Sequence, residues 1–443
     1  MLKKQLFTLS PITLKEKYIM DKILCVGLGK LGLIFSFILA SKQNFVYGYD
    51  VNKKIKEDII KNKKNSEPQL NNLIKKFSKN FIFEENFNTS VLKTTCAFII
   101  VPTPSKKNKE FDNRYILSAL DQIGPYLKNK KKYLINITST VNPGSCRKFI
   151  SYLEKKYKIK HEKQFVLTYN PHLIALGSIY NDVINSDVVL IGSKEKYGHQ
   201  FLKKIYSRIY KNKISKLQYL GLDEAEIAKI AINTYVTMKI SFTNTISQIA
   251  DKKTNINTSR ILNAIGQDTR IGNKYLSLGA LYSGPCFPRD NLNFSKYLIK
   301  QKLNYSLPRA IDSTNDIQLK RYIKIFSIMN KLKNPIIGIC GLSYKKNTNL
   351  TTKSPGMQLY NYFKKKYQTI AYDEFEPDKK INTFEKNIDN FAKKSNVIFL
   401  CYPNNIFKKL EKINYPKNTL IIDLWNFLKV KNKKVKLKIV GIS

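Results

Sequence analysis

Two apolar rhythms alternate along this 443-residue chain. The first is a short, almost unbroken apolar run. It occurs at Ile23–Val26, Phe45–Asp50, Cys96–Pro104, Tyr133–Thr140, Phe165–Asn170 and Val188–Gly192, mostly with helical stretches between. Such runs predict strands buried on both faces, and strands alternating with helices predict a parallel sheet covered on both sides. The rhythm returns after Asn334 in "PIIGICGLSYK", "TIAYD", "NVIFLCYP", "TLIIDLW" and "VKLKIVGI". Between the two blocks the period changes. From Asp223, apolar residues at 227, 230, 231, 238, 242, 246 and 249 predict one long helix with a single buried stripe. Asp223, with Glu226 three residues on, predicts its N-terminal cap.

Within the first block, Ile23–Val26 runs into Gly27-Leu28-Gly29-Lys30-Leu31-Gly32 and then an apolar helix. The following strand ends at Asp50. A glycine turn between a strand and a helix lets backbone amides approach a pyrophosphate at the helix N-terminus, and the third glycine permits close helix packing. A carboxylate at the end of the next strand accepts from ribose hydroxyls and repels a 2′-phosphate, which favours NAD over NADP. Gly27, Gly29, Lys30, Leu31, Gly32 and Asp50 are therefore the expected cofactor-binding residues. The predicted class is α/β: two Rossmann-like doubly wound parallel-sheet domains joined by a central long-helix segment. The expected boundaries are an extension over 1–20, a dinucleotide-binding domain over 21–215, a central segment over 216–325 and a second α/β domain over 326–443.

Composition narrows the setting. No apolar run reaches the roughly 18 to 20 residues of a membrane span, and the basic N-terminal stretch has no apolar core of the kind a signal peptide carries. Lys plus Arg number 78 against 32 Asp plus Glu, a net charge of +46. The lysines lie in short clusters throughout (Lys106-Lys107, Lys130-Lys131-Lys132, Lys364-Lys365-Lys366), among many Asn and Ile residues. That reads as a general bias rather than a polyanion site, so neither nucleic acid nor membrane is expected as a partner. The six cysteines form no CxxC pair and the three histidines are far apart, so no zinc site is expected. Cys25, Cys96, Cys340 and Cys401 sit in apolar runs, as core cysteines do in a reducing, cytoplasmic protein.

Cys286 is different. In "SGPCFPRDN" it stands between Pro285 and Pro288, with Arg289 and Asp290 behind it. A reacting thiol needs a nearby positive charge and a stiff backbone to aim it. On the long helix, Lys229 and Asn233 lie four residues apart and share a face. By themselves they read as a solvated Lys and Asn on an exposed helix face.

Taken in order, "GLGKLG", "VPTP" (101–104), "STVNPG" (139–144), "NPHLIALGS" (170–178), "AEIAKIAINTYVTMKISFTN" (225–244), "DTRIGNKYL" (268–276), "GPCFPRDN" (284–291) and "GLSYKKNT" (341–348) resemble the UDP-glucose/GDP-mannose dehydrogenase family. That resemblance implies NAD-dependent, four-electron oxidation of a nucleotide sugar to its uronic acid, with UDP-glucose the first expectation, as in polysaccharide biosynthesis. It implies a homodimer and a C-terminal nucleotide-sugar domain. It makes Cys286 the nucleophile that holds the aldehyde as a thiohemiacetal and then a thioester. It implies that Asp290 helps activate water, that Lys229 and Asn233 stabilise the oxyanion and orient the sugar, and that Arg289 stabilises the thiolate and bound anions near the cofactor. Thr103 and Thr140 would line the nicotinamide side, with Thr140 also in the catalytic set. Leu173, Tyr275, Tyr282, Gly284, Tyr344 and Lys345 would contact substrate, and Arg270 would reach the partner subunit's substrate.

Four departures stand out. His172 occupies the place of a glutamate that takes part in thioester hydrolysis; it can serve as base, slow the step or simply pack. Leu281 and Ser283 replace two glycines before Cys286. Leu350–Pro355 and Asp423–Asn426 lack family arginines. Two other readings follow from these departures. One is another UDP- or GDP-sugar, such as a UDP-N-acetylhexosamine. The other is a non-catalytic protein that binds NAD and nucleotide sugar.

Overall fold

The computed structural model describes residues 21–60, 67, 69–210 and 216–443; the expected extension over 1–20 lies outside them. The chain divides into two compact units, Met1–Ile230 and Ala231–Ser443.

The first unit carries eight strands: β1 Lys22–Val26, β2 Phe45–Tyr49, β3 Phe81–Phe83, β4 Cys96–Ile99, β5 Tyr133–Ile137, β6 Phe165–Tyr169, β7 Val189–Ser193 and β8 Leu217–Leu220. Their order in the sheet is β3-β2-β1-β4-β5-β6-β7-β8. Neighbours run parallel except β6 and β7, which pair antiparallel. Alternate residues feed two cores. Ile23 and Cys25 enter one face with Phe98, while Leu24 and Val26 enter the other with Ala97 and Ile99. This two-sided burial is why the strands read as continuous apolar runs. Two strands are absent from the sequence reading. β3 has only three residues, with Ile82 exposed, and β8 is an edge strand that exposes Gln218 and Tyr219. The strand order reverses between β1 and β4, and the crevice beyond their C-terminal ends is where such sheets bind ligands.

The second unit holds a five-stranded, all-parallel sheet: β9 Ile337–Cys340, β10 Thr369–Tyr372, β11 Val397–Leu400, β12 Thr419–Asp423 and β13 Val435–Ile439, in the order β10-β9-β11-β12-β13. It repeats the first unit's opening in detail. Gly27 and Gly341 both follow the first strand with φ of 93°. Gly27 N–H donates to Tyr49 O at 2.9 Å and Gly341 N–H to Tyr372 O at 2.8 Å. Asp50 accepts from Leu28 N–H at 2.6 Å and Asp373 from Leu342 N–H at 2.8 Å. The two turns differ in what remains available. Asp373 also takes the Ser343 N–H at 2.7 Å and the Tyr402 hydroxyl at 2.5 Å, so the second turn is closed on itself.

The long helix runs Leu222–Ser247. Its cap and its stripe both differ from expectation. It starts one residue before Asp223, and Glu224 accepts the Gly221 N–H at 2.6 Å, the second half of a capping box. Asp223 pairs instead with Arg147 at 2.9 Å. Beyond residue 231 the buried face is small and polar: Thr234, Thr237, Ser241, Asn244 and Ser247. Of the predicted apolar stripe, Phe242 and Ile249 are 44% and 43% exposed, and Tyr235 beside them is 56% exposed. Small hydroxyl side chains allow close packing and satisfy neighbouring polar groups. Ser241 donates to Ile311 O at 3.3 Å, and Ser247 receives the buried Arg321 at 2.6 Å on its hydroxyl and 2.7 Å on its carbonyl. Asp251 completes the arginine's partners at 2.5 and 2.9 Å. A buried charge paired in this way is stable only with its partners in place.

Candidate functional site

In the first unit the glycine turn fits a dinucleotide. A Cβ on Gly29 would meet no atom within 4 Å, so the backbone is open to an incoming group where the Lys30–Ala40 helix begins. A Cβ on Gly32 would lie 1.8 Å from Gly27 O, so only glycine allows the helix to sit this close to the turn. Lys30 is exposed and Leu31 half-buried. One Asp50 oxygen holds Leu28 N–H; the other takes Asn52 N–H at 2.8 Å. The carboxylate is thereby fixed at the end of β2, half-buried, where a ribose would reach it. The residues present fit NAD.

Two neighbouring loops frame the same end of the sheet. Thr103, buried, follows β4. After β5, Ser139 donates to Val101 O at 2.7 Å, tying the two loops together, and Thr140 beside it is half-buried. The loop then enters the Ser145–Tyr157 helix, whose first amides are not left open. Fully buried Glu226 accepts Gly144 N–H at 2.5 Å and Cys146 N–H at 2.8 Å. Burial raises its carboxyl above the usual carboxylate value, against the opposing pull of those amides. The sequence pattern makes Glu226 part of the cap of its own helix. It caps another, and so ties the Thr140 loop to the turn of the long helix that carries buried Lys229.

His172 sits half-buried, edge-on to core residue Phe35, with ring centroids 4.4 Å apart. Its Nε2 is 3.2 Å from the Tyr206 hydroxyl. Asn170 Nδ2 donates to Leu190 O at 2.7 Å, which leaves its Oδ1 to accept from Tyr206 O–H. The Tyr206 proton is thus committed to Asn170, and its oxygen accepts from His172. The imidazole therefore carries its proton on Nε2 and its lone pair on Nδ1. Burial lowers its pKa to about 4, so it is neutral at physiological pH. Leu173 follows, half-buried.

In the second unit Cys286 is exposed, whereas Cys25, Cys96, Cys146, Cys340 and Cys401 are all buried. Burial pushes the Cys25 thiol up to about 12, the condition of an inert core thiol. Cys286 occupies the N-cap of the Phe287–Lys300 helix, where the partial positive charge of the helix end favours a thiolate. One turn on, Asp290 is fully buried. It accepts from Asn233 Nδ2 at 2.6 Å and lies 3.3 Å from Arg289 Nε. The fold thus joins Asn233, Asp290 and Arg289, which are far apart or merely adjacent in sequence.

In the loop before Cys286 the backbone does not require glycine at 281 or 283. Neither Leu281 nor Ser283 has positive φ. Leu281 is buried in the core with Tyr322 and Phe326, and Ser283 is buried. Gly284 does need its φ of +85°, and a Cβ there would strike the Tyr344 ring at 2.6 Å. Lys345 Nζ lies 5.9 Å from the Tyr344 ring centre. Tyr275 is exposed, with its ring edge-on to Phe287 at 6.3 Å. Arg270 is exposed and ion-paired with Asp268 at 2.6 Å. At the departures without arginine, Thr351 is held on Asp378 at 2.6 Å, Ser354 caps the Pro355–Phe363 helix, and Asp423 is buried on the amides of Trp425, Phe427 and Leu428. Those residues build local structure. Among the described residues, no group of His, Cys, Asp or Glu could hold a metal ion, and no helix is long and apolar enough to cross a membrane.

Comparison with known proteins identifies the family along the chain. Three models of the UDP-glucose/GDP-mannose dehydrogenase family match: its NAD-binding domain over residues 21–210, its central domain over 223–317 and its UDP-binding domain over 338–430. The chain is 30% identical to the UDP-glucose 6-dehydrogenase of Rickettsia prowazekii (strain Madrid E), over 75% of this chain and 77% of that protein. It is 29% identical to the UDP-N-acetyl-D-mannosamine dehydrogenase of Methanococcus maripaludis (strain C7), over 96% and 98%. Among solved structures, a UDP-glucose dehydrogenase from Pyrobaculum islandicum shares the fold with a TM-score of 0.85 at 23% identity, covering 97% of this chain and all of that one.

Proposed function

From the premise that the chain belongs to the UDP-glucose/GDP-mannose dehydrogenase family, and is an NAD-dependent nucleotide-sugar dehydrogenase, we propose that it oxidises UDP-glucose to UDP-glucuronate through Cys286. The observation that carries this reading is the arrangement at Cys286: the one exposed thiol among the described residues, at a helix N-terminus, with buried Asp290 one turn behind.

Bound NAD supplies the hydride acceptor. The chain's own residues do the rest. The C6 alcohol is first oxidised to the aldehyde. Cys286 Sγ, as thiolate, then adds to the aldehyde carbon to form a C–S bond and a thiohemiacetal. The second oxidation gives a thioester; water cleaves the C–S bond, releasing carboxylate and restoring the thiol. In sum, one alcohol, two NAD⁺ and one water give one carboxylate, two NADH and three protons. Lys229 and Asn233 stabilise the developing oxyanion, and Asn233 and Arg289 hold Asp290 in place to orient the attacking water. His172, whose Nδ1 keeps its lone pair, has a neutral base where the family has a carboxylate. Thr103 and Thr140 line the nicotinamide side. Tyr275, Gly284, Leu173, Tyr344 and Lys345 contact the nucleotide sugar; Tyr282, expected among them, is instead buried with its hydroxyl on Asp312.

We further propose a cytoplasmic homodimer organised as an NAD-binding domain, a central segment over 216–325 and a UDP-binding domain. The dimer reading is supported by the exposed apolar residues Tyr235, Phe242 and Ile249, spaced seven apart along the long helix and its last turn. A second copy would cover them, and Arg270 would act on the partner's substrate. The likeness to UDP-N-acetyl-D-mannosamine dehydrogenase supports a second reading, in which the sugar carries an N-acetyl group. Purified protein with NAD and a panel of UDP- and GDP-sugars separates the two. The first reading expects the highest kcat/KM with UDP-glucose; a preference for an N-acetylhexosamine overturns it.

A further inference from the structure

The loop that leads into Cys286 has no strand beside it, yet its backbone is paired. Asn315, on the Ser306–Met329 helix, uses both ends of its side-chain amide on a single residue. Its Oδ1 accepts Tyr282 N–H at 2.8 Å, and its Nδ2 donates to Tyr282 O at 3.1 Å. One side chain thus replaces the edge of a neighbouring strand. One helical turn earlier, Asp312 accepts the Tyr282 hydroxyl at 2.5 Å. Burial, and then the Asp312 carboxylate, push the Tyr282 phenol far above its ordinary value, so it remains a donor. Tyr282 itself is buried. Two further ties complete the path: Leu281 is packed in the core, and Gly284 N–H donates to Thr352 O at 2.9 Å. Pro285 follows, and then the exposed thiol.

We infer that Asn315 is a positioning residue for Cys286: with Asp312 it locks Tyr282 and so fixes the direction in which the sulfur points. The inference rests on the reading of Cys286 as nucleophile only for its effect on turnover; the geometry of the thiol is tested separately. A nucleophile displaced by about 1 Å loses on the order of 100-fold in rate. A side chain that merely stabilised the fold would change the melting temperature and leave the chemistry per folded molecule unchanged.

The test uses the full-length protein and three variants: Asn315→Leu, which keeps the volume without the amide, Asn315→Asp as the conservative control, and Tyr282→Phe, which removes only the bond to Asp312. Two quantities are read. One is the pH profile of iodoacetamide alkylation at Cys286, followed by peptide mass. The other is kcat and KM with UDP-glucose and NAD. Asn315→Leu should lower kcat by about 10- to 100-fold, with little change in the KM for NAD, and should move the alkylation midpoint upward. Asn315→Asp, which keeps the acceptor for Tyr282 N–H, should recover part of both. Tyr282→Phe should show the same changes at about tenfold or less. Wild-type kcat and a wild-type alkylation profile in both Asn315→Leu and Tyr282→Phe overturn the inference, whatever the melting temperature does. If Asn315→Leu does not fold, Tyr282→Phe decides alone. If Cys286→Ala still yields two NADH per sugar, the nucleophile reading falls, and the alkylation profiles still decide whether the clamp aims the thiol.

Discussion

At Cys286 the chemistry depends on where one sulfur sits. Five thiols are buried in apolar packing and one is exposed at a helix N-terminus. Cys286→Ala should therefore stop the reaction at or before the first oxidation, with at most one NADH per sugar, read at 340 nm in a single-turnover mix. His172 gives a second residue-level prediction, in stability. Its pKa falls from 6.5 unfolded to about 4 folded. Between those values the unfolded chain binds more protons, so stability is lost as pH falls through that window and is fully present above it. His172→Gln should flatten the denaturant midpoint against pH between about 4 and 6.5; an unchanged slope means the ring is not buried as described. Motifs single out Cys286, Asp290, Lys229 and Asn233 as candidates. The partners were not legible. Asn315, Asp312 and Tyr206 lie outside the quoted motifs, because a polar side chain that pairs with a residue distant in sequence leaves no periodic trace.

Elements were legible where burial is two-sided. The central strands of both sheets were found from apolar runs, because each residue must face one core or the other. The marginal strands were not: β3 has only three residues, too few for a run to stand out, and β8 is an edge strand, which need not be apolar throughout. On the long helix the period was right, and the predicted stripe is buried at Ile230, but beyond residue 231 it is not the inward face. Periodicity marks an apolar stripe but does not say whether it meets the core or solvent. Here Thr234, Thr237, Ser241, Asn244 and Ser247 go inward. The same helix supplies Glu226 to the amides of Gly144 and Cys146. Glu226→Gln keeps one acceptor and turns an NH₂ toward the other amide. The loss should be about 1 to 3 kcal/mol of stability together with a several-fold rise in the KM for NAD, through the loop of Thr140. Thermal melts and NAD titration of initial rates check it; an unaltered KM for NAD means the cap supports the fold only.

At the scale of the whole molecule, the plan of two Rossmann-like sheets was readable because the strand–glycine turn–strand–Asp pattern occurs twice. The functional difference between the two turns was not readable. Asp50 leaves the first turn open at Gly29, whereas Asp373 and Tyr402 close the second. Assembly is open to a direct test. Phe242→Glu places a charge in the exposed apolar row, which should shift the protein from dimer to monomer in sedimentation velocity, by the cost of burying an unpaired charge. A monomeric wild type at micromolar concentration contradicts the dimer. The net charge of +46 suits an anionic nucleotide sugar but does not select one.

The central claim is that one thiol carries a sugar through two successive oxidations. The direct measurement is the molar ratio of NADH formed to UDP-glucose consumed at completion, with UDP-glucuronate identified by mass. The account predicts two NADH per sugar in the wild type and no more than one in Cys286→Ala. A ratio of two in that variant, or none in the wild type with any nucleotide sugar of the panel, contradicts it.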